Sequence, residues 1–492
     1  MKRSKRRVRE ILEVTGLRKK YDKEKGKFVI DVRYRTRSLW TERTEGVAEA
    51  FGIGLGEEEE RVIYDNLELE IGPRDIVYIT GESGGGKSVL LRALAEDLGD
   101  EALDMAEVEV EEDRPIIDTV GRTLREGLSL LSRVGLNDAY LLLRPYNQLS
   151  EGQRYRYRLA KLMESGAQYW VMDEFCSTLD RTTARIVAFN VQKQARRMGR
   201  GVLAATAHED LLQDLAPSVY VRKGLGRRLE VRYFPNRPRE RCSVAEEVRV
   251  ERGTPSDYRE LAEFHYRSHR LPPPIAIYAL RRGEEPVGVI VYSYPGINSF
   301  GRRRALGRRV PVEELNRDFA VISRVVLHPR YRSIGLGRRI VEETLPLVGR
   351  RYVEAIAVMA QYNPFFEKAG MRRVAEIGPD ESLLEVGERL RRLGFNPIEM
   401  ASEEANLRRL ERMSWEEVEE CRRILLGVSP GYYKRLKPSR RAHVGRGEFR
   451  SYVEGAPLGR LARMLRTVAV LLQTKVYLIW ENPDLREGGG AE

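Results

Sequence analysis

The sequence predicts an α/β protein of several domains. Three observations predict it. A strand, a glycine loop and a helix follow one another over residues 76–91; a strand, a loop of small residues and an amphipathic helix return over 319–348; and 492 residues exceed what one hydrophobic core sustains. Composition divides the chain at a Pro- and Arg-rich stretch over 234–241 and again near 395. The expected parts are 1–240, 241–395 and a smaller mixed α/β region over 396–492.

Composition narrows the setting. Hydrophobic residues make up 42% of the chain, enough for globular packing, and charged residues 33%, with few Asn, Gln or Cys, a balance that resembles thermophile proteins. The net charge of +12 is concentrated in Lys2, Arg3, Lys5, Arg6, Arg7 and Arg9 and in Lys434, Arg435, Lys437, Arg440 and Arg441. Such clusters can track a phosphate backbone, and they can equally be solvated surface. Cys176, Cys242 and Cys421 lie far apart, which indicates neither a disulfide framework nor a zinc site. No apolar run approaches the ~18 residues of a membrane span, and the first residues lack the apolar core of a signal peptide, so a cytoplasmic protein with no membrane partner is expected.

The first part opens with a strand-like run at 28–34 and an alternating edge strand at 61–71, which Gly72-Pro73 turns toward the next strand. Phe51 stands where an aromatic can stack on adenine; a core position is the other reading. Strand 76–80 runs into Gly81, Glu82, Ser83, Gly84, Gly85, Gly86, Lys87, Ser88 and Val89, the phosphate-binding spacing of one glycine, four residues and Gly-Lys-Ser. Glycines let successive N–H groups point at one phosphate, the helix N-terminus adds a favourable dipole, Lys87 brings a charge to the β and γ phosphates, and the Ser88 hydroxyl suits Mg²⁺. Further on, Leu149-Ser150-Glu151-Gly152-Gln153 precedes an Arg- and Tyr-rich helix. An apolar strand at 169–172 ends in Asp173 and Glu174; Ser177-Thr178-Leu179-Asp180 follows; and His208 comes after a strand at 201–206.

In this order the motifs resemble an ATP-binding-cassette (ABC) ATPase over about residues 28–235. The resemblance implies that Asp173 and Ser88 hold Mg²⁺, Glu174 orients and deprotonates the attacking water, and His208 senses the γ-phosphate of ATP. It implies further that Ser150, Gly152, Gln153 and Asp180 complete the nucleotide site of an opposite subunit, in a head-to-tail homodimer. Phosphoryl transfer needs charge neutralisation and a placed water above all, which these residue types can supply. Taken singly, each also reads as ordinary structure: a helix cap for Ser150, strand-end carboxylates for Asp173 and Glu174, a surface imidazole for His208. Two features depart from the family pattern. The usual Gln between glycine loop and signature is missing, residues 109–117 offering Glu112 and Asp113 instead, and the stretch leading to Leu149 is short for a segment that grips a membrane partner.

In the second part, His328-Pro329-Arg330-Tyr331-Arg332-Ser333-Ile334-Gly335-Leu336-Gly337-Arg338 follows strand 319–327. Arg332 to Gly337 is similar to the R/Q-x-x-G-x-G/A loop of the GNAT acyltransferase superfamily. The resemblance implies that Arg332, Ser333, Ile334, Gly335, Leu336, Gly337 and Arg338 cradle the diphosphate of acetyl-CoA at a helix N-terminus. It also implies that main-chain N–H groups near Val325, Val326 and Leu327 stabilise the thioester oxyanion. The family often has a Tyr as general acid where this chain has Phe366; Tyr362 can take its place, or water can. Phe264-His265-Tyr266, the prolines after it and the Ser323-Arg324 pair resemble the nucleic-acid-modifying branch of that superfamily, the phage Mom proteins among them. There His265 and Tyr266 can deprotonate and orient an exocyclic amine. They can also be one helix end packed on a sheet.

The last hundred residues interleave Tyr432, Tyr433, Lys434, Arg435 and Lys437, a pattern suited to stacking on bases or to a helical cap on the preceding sheet. The whole reads as an ABC-type ATPase fused to an acetyl-CoA-dependent N-acyltransferase that acts on a tRNA or DNA amine. The rivals are a protein or small-amine acetyltransferase with a regulatory ATPase, and a non-acylating nucleic-acid clamp or repair ATPase.

Overall fold

A computed structural model describes residues 12–36, 41–52, 59–265, 271–297, 299–439 and 443–485. Tyr266, the basic cluster over residues 2–9, Arg440, Arg441 and the Gly-rich tail lie outside them. The chain forms two compact units. The first comprises Met1–His269, Tyr278–Val289 and Val326–Gly337; the second comprises Arg270–Ile277, Ile290–Val325 and Arg338–Glu492.

The first unit begins with an antiparallel sheet of β1 (Leu12–Asp22), β2 (Lys27–Thr36) and β3 (Glu59–Glu70), in that order. A six-stranded sheet follows, made of β4 (Ile76–Gly81), β5 (Ala102–Asp104), β6 (Tyr169–Met172), β7 (Gly201–Ala205), β8 (Val219–Lys223) and β9 (Leu229–Tyr233). Its order is β5-β6-β7-β4-β8-β9, parallel except for β9. The central strands are apolar at nearly every position because both sheet faces are covered. Ile76, Tyr78, Trp170, Met172, Val202 and Ala204 enter one buried cluster, with Leu159, Phe175 and Val187. Val77, Ile79, Tyr169, Val171, Leu203 and Ala205 enter the other, with Phe28, Ile30, Leu90 and Leu94. Parallel strands end together at their carboxyl edge, where loops 81–86, 173–180 and 206–208 emerge.

A seven-stranded sheet is built from β10 (Val248–Arg252), β11 (Pro274–Arg282), β12 (Glu285–Ser293), β13 (Phe319–Leu327), β14 (Tyr352–Ala357), β15 (Arg372–Ile377) and β16 (Lys475–Glu481). The order is β10-β11-β12-β13-β14-β16-β15. Within the second unit β13 and β14 run parallel, whereas β16 is antiparallel to both β14 and β15. The 396–492 region therefore supplies an internal strand of this sheet and is no separate appendage. Helices between Glu381 and Leu471 enclose a core of Leu383, Leu390, Cys421, Leu425, Phe449, Leu461 and Leu465. The interleaved stretch belongs to that core: Tyr433 is buried and stacks on Phe449 with ring centroids 4.2 Å apart. Lys434 and Arg435 stay exposed, so the sequence pattern suited to base stacking is here the two faces of one short helix, Tyr433–Leu436.

Candidate functional site

β4 delivers its chain into a loop that only glycine can form. Gly81 has φ +128°, and a Cβ there would lie 1.8 Å from the Lys223 carbonyl oxygen. Gly84 and Gly86 are also left-handed, and a Cβ on Gly86 would meet Ile63 Cγ2 at 2.6 Å. The Tyr64 hydroxyl donates to the Gly86 carbonyl at 3.0 Å and pins the start of the helix Lys87–Leu98. Lys87 is buried, its Nζ donating to the carbonyls of Gly81 (3.0 Å) and Glu82 (2.8 Å), so the ammonium sits over the loop it belongs to. Ser88 Oγ donates to Asp173 Oδ1 at 3.1 Å.

Asp173 directly follows β6, and the chain then makes a turn in which Glu174 (φ 49°) and Cys176 (φ 58°) are both left-handed. For non-glycine residues that conformation is costly and marks an over-determined site. Three bonds hold it. The Glu174 N–H donates to Asp173 Oδ1 (3.0 Å), the Phe175 N–H to the Ala205 carbonyl (2.7 Å), and the Cys176 N–H to the Tyr155 hydroxyl (3.0 Å). Tyr155 rides on the helix Glu151–Glu164, so this bond ties the signature segment's helix to the carboxylate turn. Within the signature, the Ser150 N–H donates to Gln153 Oε1 (2.9 Å), and Gly152 packs so closely that a Cβ would lie 3.1 Å from Leu179. Asp180 caps the helix Arg181–Met198, accepting from the Thr183 N–H (3.1 Å) and hydroxyl (2.6 Å). Burial pushes its carboxyl up, but the Thr183 bonds and nearby Arg330 outweigh that and hold it below the usual carboxylate range. His208 is half-buried, and its carbonyl accepts from the Tyr78 hydroxyl at 2.6 Å. Phe51, by contrast, ends the helix Glu42–Phe51 with 78% of its surface exposed.

This strand, glycine loop, buried lysine and hydroxyl–carboxylate pair agree with the known proteins that the chain resembles. It is 29% identical over 188 residues to the cytochrome c biogenesis ATP-binding export protein CcmA of Vibrio parahaemolyticus, a match covering 32% of this chain and 89% of that one. With the CcmA of Gluconobacter oxydans it shares 31% identity over 170 residues, covering 32% of this chain and 78% of the relative. The chain belongs to the ABC ATPases. It does so through its N-terminal third. Among solved structures it is similar to a dimeric post-hydrolysis ATP-binding cassette, MJ0796, bound to ADP and Pi, at 20% identity, a TM-score of 0.30 and coverage of 37% of this chain and 95% of that one. No family model matches the chain.

ATP, together with Mg²⁺, fits an ABC cassette. The Gly81 cradle leaves no room for a side chain, and the Ser88 hydroxyl and Asp173 carboxylate are two adjacent hard-oxygen donors of the kind Mg²⁺ takes alongside phosphate oxygens. Among the described residues, no helix is long and apolar enough to cross a membrane.

The cassette's unit also contains the second loop. Arg332 donates from Nε to the Leu327 carbonyl (3.0 Å) and from Nη1 to the Asn137 carbonyl (2.7 Å). Ser333 is left-handed at φ 71°, and its Oγ accepts from Asn190 Nδ2 at 2.9 Å. Gly335 has φ +89° with nothing within 4 Å of a built Cβ, so this cradle is open. Ile334 and Leu336 are buried; Leu336 begins the helix Leu336–Thr344, and Gly337 and Arg338 follow it in the first turn. His328 caps the preceding turn, its Nδ1 accepting from the Arg330 N–H at 3.3 Å; burial first, then Arg330 and Arg332, hold its pKa below the ordinary histidine value. His265 is half-buried at the end of the short turn Ala262–Phe264, with Phe264 edge-on to His328 at 4.8 Å. In the second unit, the register of β13 with β14 runs only from Phe319↔Tyr352 to Ile322↔Ala355, and Val325 lies beyond the last pair. Tyr362 is partly exposed, whereas Phe366 is buried beside Phe365. Sequence reasoning missed Asn190 and Asn137; a polar residue in the apolar row of a helix was the only signal that Asn190 offered.

Proposed function

We propose that the chain is an ATP-hydrolysing cassette protein, working as a homodimer, whose second half transfers an acyl group from acetyl-CoA to an amine of a nucleic acid. The observation that carries the acyl-transfer half is the strand, open loop and helix at 319–344, with Gly335 unobstructed and the β13–β14 pairing ending after four residue pairs. A parallel pair that stops short leaves main-chain groups of β13 available to an extended ligand. The helix after the loop starts beside it, and a helix N-terminus offers main-chain N–H groups and a dipole suited to a diphosphate.

Acetyl-CoA, when bound, supplies an activated acyl group: the amine nitrogen attacks the thioester carbonyl, a C–N bond forms and the C–S bond breaks. In this reading Arg332 to Arg338 bind the diphosphate, and main-chain N–H groups of the strand near Val325, Val326 and Leu327 stabilise the oxyanion. His265 and Tyr266 take the roles of deprotonating and orienting the amine, and Tyr362 returns a proton to the leaving thiolate. The nucleic-acid preference rests on the charge of +12 and on exposed Lys434 and Arg435. In the cassette, Asp173 and Ser88 hold Mg²⁺, Glu174 places the water, and Ser150, Gly152, Gln153 and Asp180 face the nucleotide of the partner copy.

The test is incubation of the purified chain with labelled acetyl-CoA and tRNA, DNA or protein, beside a Gly335→Glu variant. Label in a nucleic acid, lost in the variant, is expected. Label in protein alone would replace the substrate class, and no label anywhere would remove the acyltransferase.

A further inference from the structure

We infer that the acyl-donor loop is positioned by the ATPase cassette itself, through Asn190, so that donor affinity and nucleotide state are coupled; this rests on the acyl-CoA reading of that loop. Asn190 lies in the middle of the helix Arg181–Met198, only 3% exposed, in a buried row with Val187 and Val191. A buried amide costs stability unless it is bonded. Its Nδ2 donates to Ser333 Oγ at 2.9 Å, and that hydroxyl donates onward to the Arg332 carbonyl at 2.5 Å. Ser333 is the residue in the loop that adopts φ 71° without being glycine. A conformation of that kind persists only where the surroundings hold it, and the Asn190 amide is one of those holds.

The same helix meets the segment around the loop twice more. Arg330 Nε lies 3.9 Å from Asp180 Oδ1, and Arg282, whose Nη1 reaches the Tyr331 hydroxyl at 3.4 Å, donates from that same nitrogen to Thr182 Oγ1 at 3.0 Å. Asp180 and Thr182 stand at the helix N-terminus, directly after the carboxylate turn, and Asn190 stands ten residues on, about 15 Å along the axis. Arg332 anchors the loop to the cassette a second time, at the Asn137 carbonyl. A cavity of about 310 Å³ lies beside this junction, lined by Asn137, Gln153, Arg156, Asp180 and Arg330 among others. It leaves room for the signature and Asp180 to shift when a nucleotide engages them. One helix thus touches the nucleotide machinery at its N-cap, Asp180, and the donor loop at its tenth residue, Asn190. Each ligand then biases the same element, which is the physical requirement for coupling.

The full-length protein tests this by calorimetric titration with coenzyme A, with and without a non-hydrolysable ATP analogue, and the reverse. In the wild type the analogue should change the Kd for coenzyme A about fivefold or more, and coenzyme A should change the analogue's Kd by the same factor. Asn190→Ala should weaken coenzyme A binding about tenfold and abolish both shifts while ATP hydrolysis persists; Ser333→Ala should show a non-additive effect when combined with it. Arg330→Ala, at an exposed side chain, tests the coupling without disturbing the buried row and should shrink the reciprocal factor. Coenzyme A binding that is indifferent to nucleotide and unchanged in Asn190→Ala overturns the inference and leaves the acyl-donor reading standing. Absence of coenzyme A binding in the wild type overturns both.

Discussion

Ser88 Oγ and the Glu174 main-chain N–H both donate to one oxygen of Asp173, Oδ1, at 3.1 and 3.0 Å. The Asp173 carboxylate is therefore oriented by the second residue of the helix Lys87–Leu98 and by the residue that follows it in the chain, and the left-handed φ of Glu174 turns the chain out of the strand direction. The two acids should fail differently. Asp173→Asn is expected to lose Mg²⁺-dependent nucleotide binding and hydrolysis together. Glu174→Gln is expected to bind ATP normally while kcat falls about 10²- to 10⁴-fold, the range for loss of a positioned general base. Phosphate release and nucleotide titration separate the two; equal losses of binding would show that Glu174 serves the fold of the turn and not the water.

Gly81→Ala should be far worse than Gly84→Ala. At Gly81 the added methyl would stand 1.8 Å from the Lys223 carbonyl oxygen, so β8 or the loop must move, and φ +128° adds backbone strain of about 1–3 kcal/mol. At Gly84, also left-handed, nothing lies within 4 Å, so strain alone remains. Thermal melts with and without ATP should show Gly81→Ala with a lowered Tm and no stabilisation by nucleotide, and Gly84→Ala with a smaller drop and residual stabilisation. Identical behaviour of the two would mean that the close approach to Lys223 does not shape the cradle.

The cassette was legible in the chain because its chemistry is local. The glycines, Lys87 and Ser88 lie within eight residues, and Asp173 and Glu174 must follow an apolar strand. What could not be read is long-range. β16 pairs between β14 and β15, about a hundred residues earlier, and an apolar strand carries no sign of its neighbour, so residues 396–492 looked like an extension. Tyr433 was open to two readings because aromatic residues among basic ones fit both a base-stacking surface and a helical cap on the preceding sheet; the structure buries that residue against Phe449 in the core between the helices. Asn190 and Ser333 are 143 residues apart, and nothing in either segment announces the other.

Glu354, in the middle of β14, is buried between Arg302 and Tyr477. Arg302 reaches it with Nε at 3.1 Å and Nη2 at 2.5 Å, and its Nη1 and Nη2 also donate to the Ile297 and Gly296 carbonyls at 2.9 Å, so the charge is matched inside the second unit. Removing one partner leaves the other charge buried and alone. Glu354→Ala should therefore cost about 3–5 kcal/mol in denaturant unfolding, and Tyr477→Phe, which removes one bond to the carboxylate, about 1.5–3 kcal/mol. Combining Glu354→Leu with Arg302→Met should recover most of the loss. A Glu354→Ala protein as stable as the wild type would mean that water or a neighbour meets the guanidinium.

The three thiols give a pH prediction with a definite sign. Cys176, Cys242 and Cys421 are all buried, and burial pushes each thiol up to about 12 from an ordinary value of 9.0. In the native protein none should react with a thiol reagent at pH 8, whereas all three should react once denaturant is added. A raised native pKa means that the folded chain keeps protons the unfolded chain releases. The stability these groups contribute is thus intact below about pH 9 and declines as pH rises toward 12. Denaturant midpoints measured from pH 8 to 11 should fall with pH, buried tyrosines such as Tyr155 adding to the thiols, and less steeply in Cys421→Ala, where one linked proton is gone. A slope that is flat, or unchanged by that substitution, would place the Cys421 thiol in contact with solvent.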